Sequence, residues 1–140
     1  MENRKIRVVL DTNVLLSGLQ SRLGASYQLL RRLGEFDIAI SVPLVLEYEE
    51  ILTYKLDKKI FSHNDIEEVI NYICKIGITA PIFYLWRPFL IDPEDDHILE
   101  LALAANCSHI ITYNIKDFRG VEEYFGIKVI NPAEFLEFLR

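Results

Sequence analysis

Short apolar runs alternate with amphipathic helical stretches along the chain, and this alternation constrains the fold more than any other feature. The pattern predicts helices over residues 12–19, 24–33, 42–56, 64–77, 93–106 and 132–139. It predicts strands over residues 6–10, 37–41, 81–86, 109–112 and 127–130. Short apolar strands joined by helices are typical of a parallel sheet covered on both faces. We therefore predict an α/β fold, in which ligands bind at the carboxyl ends of the strands.

Length and composition favour one folded domain. The 140 residues are 51% hydrophobic and 26% charged, a mixture that can form a sizeable core. No repeat or flexible linker interrupts residues 1–140, which we predict to be a single domain. No uncharged run reaches the roughly 18 residues that a membrane-spanning helix needs, and the first residues contain no secretory signal. A cytoplasmic protein with no membrane partner is the expectation.

The net charge of −6 disfavours a protein that binds nucleic acid through a broad positive surface. It does not exclude a nuclease, because an acidic pocket that holds metal lowers the net charge while a local basic rim still contacts phosphate. The positions of the acidic residues therefore matter more than their number.

Two acidic residues fall where α/β proteins build their sites. Asp11 directly follows the first predicted strand, at its carboxyl end, although it also suits the N-cap of the next helix. Glu47 lies in a predicted helix at the edge of a buried stripe that contains Leu44 and Tyr48. The alternative for Glu47 is a solvated helix face.

Three aspartates crowd the helix start that follows residue 91. Asp92 can serve as the N-cap and Asp95 as its N3 partner, both favoured by the helix dipole. Asp96 has no capping role and lies at the edge of the apolar arc, so we predict that it faces a site. His97 lies on the polar side of this helix and is expected to be exposed rather than catalytic.

Polar residues also follow the run His-Ile-Ile of the predicted strand 109–112, again at a carboxyl end. They are Thr112, Asn114 and Asp117, and a simple turn is the alternative at Asp117. Carboxylates that converge from separate strand ends repel one another unless a cation lies between them. An all-oxygen set suits Mg²⁺ or Mn²⁺ and not Zn²⁺, and the sequence contains no competing Cys/His set or Gly-rich phosphate loop.

The stretch Val-Val-Leu-Asp-Thr-Asn-Val-Leu at residues 8–15 resembles the opening motif of PIN-domain ribonucleases. A mid-chain helical Glu47 and an aspartate at a helix start before Ile-Ile-Thr follow in the same order. Residues 92–102 are similar to the version in PIN toxins, the VapC-like members of bacterial toxin–antitoxin pairs. The resemblance implies a three-layer α/β/α fold with a central parallel sheet. It also implies one or two Mg²⁺ or Mn²⁺ ions and RNA cleavage by a metal-activated water.

Carried over by position, the resemblance makes Asp11, Glu47 and Asp96 the three core acids. Many members have an aspartate at the position of Asn114, and others have asparagine there and an acid three residues later, which matches Asp117. A neutral side chain at position 114 lowers the negative charge of the site. The supporting residues near the acids or the phosphate would be Asn13, Thr112, Asn114 and Asp92.

The resemblance also implies partners. An RNA substrate is expected, and Lys116 and Arg119 are candidate phosphate contacts because they flank Asp117; the alternative for both is a solvated charge. PIN toxins commonly form homodimers and are neutralised by an antitoxin protein. Apolar surface for such contacts is expected on the helix at 64–76 and on the stretch 82–86.

Two other interpretations stay open. A phosphatase of the haloacid dehalogenase type also begins with a strand-end aspartate and uses Mg²⁺, but it needs a second aspartate where this chain has Asn13. A PIN-like domain that has lost catalysis and only binds a partner is compatible with Asn114. The convergent carboxylates argue against the latter, because uncompensated acids destabilise a fold.

Overall fold

The computed structural model describes residues 5–82, 85 and 87–139. The strands are β1 (Arg7–Leu10), β2 (Asp37–Ile38), β3 (His109–Ile111) and β4 (Lys128–Ile130). The helices are α1 (Thr12–Gln20), α2 (Ala25–Arg31), α3 (Val42–Lys55), α4 (His63–Ile76), α5 (Asp96–Ala104), α6 (Val121–Phe125) and α7 (Pro132–Phe138). Short 3₁₀ turns cover Leu33–Glu35, Pro93–Asp95 and Ile115–Phe118. Within these described ranges no helix combines the length and the apolar character that crossing a membrane requires.

These four strands form one parallel sheet in the order β2–β1–β3–β4. The central strands are β1 and β3, whose residues Val9 and Ile110 are paired and fully buried. Helices flank the sheet, which confirms the predicted α/β/α arrangement. Because the strands are parallel, their carboxyl ends lie at the same edge, and the residues that follow β1 and β3 are neighbours.

Helix α3 begins where the sequence predicts because its first turn is well capped. The Ser41 hydroxyl accepts a hydrogen bond from the Leu44 N–H at 3.3 Å. Pro43 sits in the first turn, where the missing N–H costs nothing. The buried residues Leu44, Tyr48 and Leu52 form the predicted apolar stripe. This packing fixes which face of α3 turns toward the end of β1.

The described residues of one predicted strand, at 81–86, are not part of a strand. Of the stretch 81–86, residues 81, 82 and 85 lie outside any helix or strand, and residues 83, 84 and 86 lie outside the described residues. Just before this stretch, a parallel bridge joins Ala39 to Ile78 on the side of β2 that faces away from β1. Pro81 has no N–H to donate to a strand ladder, which opposes pairing beyond this bridge.

Candidate active site

Asp11 lies at the carboxyl end of β1, and both of its carboxylate oxygens are held. Its Oδ1 accepts the Thr12 backbone N–H at 2.8 Å, and its Oδ2 accepts the Thr112 hydroxyl at 2.7 Å. Asn13 Nδ2 lies 3.4 Å from the same Oδ2. Burial raises the pKa of Asp11, although the hydrogen bonds from Thr112 and Thr12 oppose that effect. Asp11 therefore caps α1 and also presents a fixed carboxylate at the end of a central strand.

Helix α3 brings Glu47 to the same place. Its Oε2 accepts a hydrogen bond from the Thr12 hydroxyl, and its Oε1 lies 3.4 Å from His97 Nε2. Burial raises the pKa of Glu47, but the hydrogen bonds from His97 and Thr12 leave it below its ordinary value. Thr12 thus joins two of the predicted acids, because its N–H binds Asp11 and its hydroxyl binds Glu47.

Asp96 is fully buried, and its hydrogen bonds are to the backbone. Its Oδ1 accepts the Leu90 N–H at 2.9 Å and the Phe89 N–H at 3.4 Å. Among the described residues its Oδ2 has no hydrogen-bond partner. The sequence predicts Asp96 as the acid that faces the site, but these contacts are those of a side chain that fixes the loop before α5.

The acid within electrostatic reach of the other carboxylates is Asp95, which the sequence pattern assigns to capping. It ends the 3₁₀ turn Pro93–Asp95, and the described structure shows no capping hydrogen bond from its side chain. The pKa of Asp95 is raised from 3.8 to about 7, first by burial and then by neighbouring negative charges. In decreasing order of effect, these charges belong to Asp11, Asp92, Asp117 and Glu47.

The different surroundings of Asp95 and Asp96 reflect a local geometry that a helical wheel misses. Asp92 caps the turn as predicted, since its Oδ1 accepts the Glu94 N–H at 3.0 Å. The turn that follows is a 3₁₀ turn with about three residues per turn. A wheel drawn with about 3.6 residues per turn from the start of this segment misdirects the side chains. The proline-containing sequence Asp-Pro-Glu-Asp is the signal that could have identified the turn.

His97 is another residue whose setting differs from the sequence prediction. The expectation of an exposed side chain is wrong, because the His97 side chain is only 15% exposed. It lies against Glu47, since α3 and α5 pack together at this point. A wheel for α5 alone does not reveal this contact, because the covering helix comes from a distant part of the chain.

The residues after β3 lie beside Asp11, as their position at a strand end predicts. Thr112 is fully buried; it donates its hydroxyl to Asp11 and accepts the Asn114 backbone N–H at 2.9 Å. The Asn13 side-chain oxygen accepts the Tyr113 N–H at 3.4 Å. Asp117 lies in the 3₁₀ turn Ile115–Phe118, from where its charge raises the pKa of Asp95.

Lys116 and Arg119 lie among acidic as well as basic side chains. Both line a cleft of about 490 Å³ between the turn Ile115–Phe118 and α6. The other charged residues that line this cleft are Glu122, Glu123 and Glu134. These carboxylates oppose the attraction of the two cations for phosphate, and the phosphate contacts of Lys116 and Arg119 stay a prediction.

The donor chemistry of the site fits a hard divalent cation. Its side chains offer carboxylate, hydroxyl and amide oxygens, which are the ligands that Mg²⁺ and Mn²⁺ prefer. Burial, and then neighbouring negative charges, raise the pKa of Asp95, and a bound cation would offset both effects. In the part of the chain that is described, no three His, Cys, Asp or Glu side chains form a ready-made ligand group. Binding therefore requires the carboxylates to move together around the ion.

Acidic residues beyond the carboxyl ends of the central strands lie where α/β proteins of this kind bind their ligands. The PIN domain family profile matches residues 7–116, so the chain belongs to the PIN domain family. PIN domains are nucleases that act on phosphodiester bonds, and they generally use divalent metal ions. No curated protein matches the chain in sequence.

Several solved structures are similar to this chain at low sequence identity. VapBC2 from Rickettsia felis, bound to a DNA fragment from its promoter, has a TM-score of 0.60 and 16% identity, covering 90% of this chain and 98% of its own. VapBC-1 from nontypeable Haemophilus influenzae has a TM-score of 0.61 and 16% identity, covering 91% and 99%. FitAcB from Neisseria gonorrhoeae has a TM-score of 0.58 and 15% identity, covering 90% and 98%. At such low sequence identities, the structural similarity shows that these proteins and this chain share a fold.

Proposed function

We propose that this PIN domain is a Mg²⁺- or Mn²⁺-dependent endoribonuclease, and that it is the toxin of a toxin–antitoxin pair. The observation that carries the proposal is the bonding of Thr12, whose N–H holds Asp11 and whose hydroxyl holds Glu47. Asp95, with a pKa of about 7, lies within electrostatic reach of both acids. In this proposal residues 1–140 act as one nuclease domain.

The proposed cation ligands are the carboxylates of Asp11, Glu47, Asp95 and Asp117. Asp95 takes the place that the sequence prediction gives to Asp96, because Asp96 is bonded to backbone N–H groups. Thr112 holds Asp11 in place, and the Asn114 N–H in turn holds the Thr112 hydroxyl. These hydrogen bonds orient the Asp11 carboxylate before a cation binds, and the four acids would then draw closer together around the ion.

A bound divalent cation would supply an acidified water and neutralise charge on the scissile phosphate. The chain itself orients the carboxylates, since Asp11 is bonded on both oxygens and Glu47 is held by Thr12 and His97. Attack by water forms a new P–O bond and breaks the bond to the 3′-oxygen, which takes up a proton. We therefore expect products with a 5′-phosphate and a 3′-hydroxyl.

A groove between α1, α2 and α4 is the surface that we assign to the antitoxin. It has a volume of about 470 Å³ and is lined mostly by apolar side chains, together with Asp65 and Glu68. The apolar lining includes Leu15, Leu19, Leu30, Leu33, Phe61 and Ile73. An apolar groove with acidic residues fits an amphipathic helix that carries basic side chains.

Two observations support an antitoxin partner. The motif at residues 92–102 resembles that of PIN toxins. The fold is shared with VapBC2 and VapBC-1, proteins of the toxin–antitoxin class to which the motif points.

A homodimer belongs to the same proposal, and sedimentation velocity over a range of concentrations tests it. A monomer at every concentration would contradict the homodimer alone.

The experiment that tests the activity is RNA cleavage by the purified chain, freed of any bound partner. Single-stranded RNA should be cut in Mg²⁺ or Mn²⁺, stay intact in EDTA, and be cut again when Mn²⁺ is added in excess. A 5′-phosphate-dependent exonuclease should degrade the products. Cleavage that persists in EDTA, or intact RNA in both ions, would contradict the proposal.

A PIN domain that binds without catalysis is the second candidate, and Asn114 favours it because a neutral residue stands where many members have an acid. This candidate predicts that the chain binds its partner and leaves RNA intact in Mg²⁺ and Mn²⁺. The haloacid dehalogenase interpretation is not retained, because the chain belongs to the PIN domain family.

A further inference from the structure

We propose that His97 is a positioning residue that fixes the orientation of the Glu47 carboxylate. His97 Nε2 lies 3.4 Å from Glu47 Oε1, and the His97 side chain is only 15% exposed. Because His97 belongs to α5 and Glu47 to α3, the contact joins two helices that pack together. They meet at the site of the four proposed ligands, which we call the acidic pocket. The inference rests on the proposed function, in which Glu47 is a cation ligand.

The two contacts of Glu47 act on different oxygens of its carboxylate. The Thr12 hydroxyl binds Oε2 and His97 binds Oε1. A single hydrogen bond leaves a long glutamate side chain free to turn about that bond, whereas bonds to both oxygens fix the plane of the carboxylate. Each oxygen keeps a further lone pair for a cation. Residues that orient a metal ligand in this way typically change metal affinity by ~10- to 100-fold when they are replaced.

The surroundings of the His97 ring indicate which nitrogen carries the proton. Among the residues with described positions, none forms a hydrogen bond with the buried Nδ1. A buried N–H without an acceptor is rarer in proteins than an acceptor that lacks a donor. We therefore place the proton of the neutral ring on Nε2, from which it is donated to Glu47 Oε1.

A purely structural role makes a different prediction from a positioning role. If His97 only fills space between α3 and α5, leucine should replace it without any effect on Glu47. If His97 orients Glu47 through its Nε2–H, the position needs a donor at that reach. Glutamine supplies an N–H of similar reach, so His97→Gln should retain what His97→Leu loses.

The experiment compares His97→Leu and His97→Gln with the wild type, with His63→Leu as the matched control at an exposed histidine. The first readout is the carboxyl ¹³C signal of Glu47 in the metal-free protein, assigned by its loss in Glu47→Gln. We expect His97→Leu to move this signal toward those of the exposed glutamates, and His97→Gln to leave it nearly in place. This readout needs neither metal nor RNA.

The second readout is Mn²⁺ affinity, measured by calorimetry without RNA. His97→Leu should weaken it by ~10- to 100-fold, while His97→Gln and His63→Leu stay close to the wild type. An unmoved Glu47 signal in His97→Leu, or equal effects of leucine and glutamine, would overturn the positioning role. If the wild type binds no Mn²⁺, the proposed function fails, and the ¹³C comparison still decides whether His97 orients Glu47.

Discussion

The Tyr48 hydroxyl donates a hydrogen bond to the Leu10 backbone carbonyl, and this buried contact ties α3 to the end of β1. Tyr48 adjoins Glu47 in the chain and Leu10 adjoins Asp11, so one bond sets the spacing of two proposed ligands. Burial raises the pKa of Tyr48 well above its ordinary value, with smaller effects from Asp11 and Glu47. The hydroxyl therefore keeps its proton and remains a donor throughout the physiological pH range.

Tyr48→Phe should destabilise the protein and loosen Glu47. The substitution leaves the Leu10 carbonyl buried without its donor, which costs about 1–3 kcal/mol in the free energy of unfolding. Urea denaturation measures this cost, with Tyr54→Phe as the control because Tyr54 is 84% exposed on the same helix. Equal stability of the two variants would show that the Tyr48 bond does not tie α3 to β1.

Asp95 should make the metal-free protein less stable as the pH rises. Its pKa is about 7 in the folded state against an ordinary value of 3.8, so the folded state binds more protons between these values. Stability therefore falls as the pH rises from about 4 to about 7. Asp95→Asn should flatten this part of the curve and raise the metal-free melting temperature at pH 8. If the stability of Asp95→Asn changes with pH as that of the wild type does, Asp95 is not one of the mutually repelling acids.

Asp96→Ala should act in the opposite direction. It removes the acceptor of the Leu90 N–H and leaves a buried donor unpaired, which costs about 1–3 kcal/mol. The metal-free melting temperature should therefore fall in Asp96→Ala, whereas it rises in Asp95→Asn. If replacing Asp96 stabilises the metal-free protein, Asp96 carries the like-charge strain, as the sequence predicts.

His109, which lies away from the acidic pocket, should make the stability of the fold sensitive to low pH. It lies at the start of β3, its ring packs against Phe135 and Phe138, and its Nε2 is buried without a partner among the described residues. Burial lowers the pKa of His109 below 6.5. Lys128 on the neighbouring strand lowers it further, and Glu122 opposes this effect.

The unfolded chain therefore takes up a proton at His109 at a higher pH than the folded chain does, so stability should fall as the pH drops below about 6.5. His109→Leu should remove this component of the pH dependence. Melting temperatures at pH 5.5 and pH 7.5 measure it, and His63→Leu at an exposed site should leave it in place. An unchanged difference between the two pH values in His109→Leu would contradict a neutral, buried His109.

The residues whose positions depend on strand ends and helix periodicity could be predicted from the sequence. Asp11 and Thr112 each directly follow an apolar run, and parallel strands bring their carboxyl ends together. Glu47 sits beside the apolar stripe of α3, so its face was predictable as well. In each case local periodicity and the parallel sheet suffice to place the residue.

Other features depend on geometry that periodicity does not contain. The proposal of Asp95 rather than Asp96 as a ligand rests on a 3₁₀ turn that shifts the side-chain directions before α5 begins. The contact of His97 with Glu47 exists only because α3 packs against α5. The bridge between Ala39 and Ile78 likewise depends on which segment reaches the side of β2 that faces away from β1.

The most direct test of the central claim is the single-turnover rate of RNA cleavage in Mn²⁺ for Asp11→Asn and Asp95→Asn. Both substitutions should lower the rate by at least ~10²-fold, because a misplaced cation and water lose several kcal/mol of transition-state stabilisation. Glu50→Gln, at an exposed position of α3, should cleave like the wild type. Wild-type rates in Asp11→Asn or Asp95→Asn, with contaminating nuclease excluded, would contradict a cation site built from these acids.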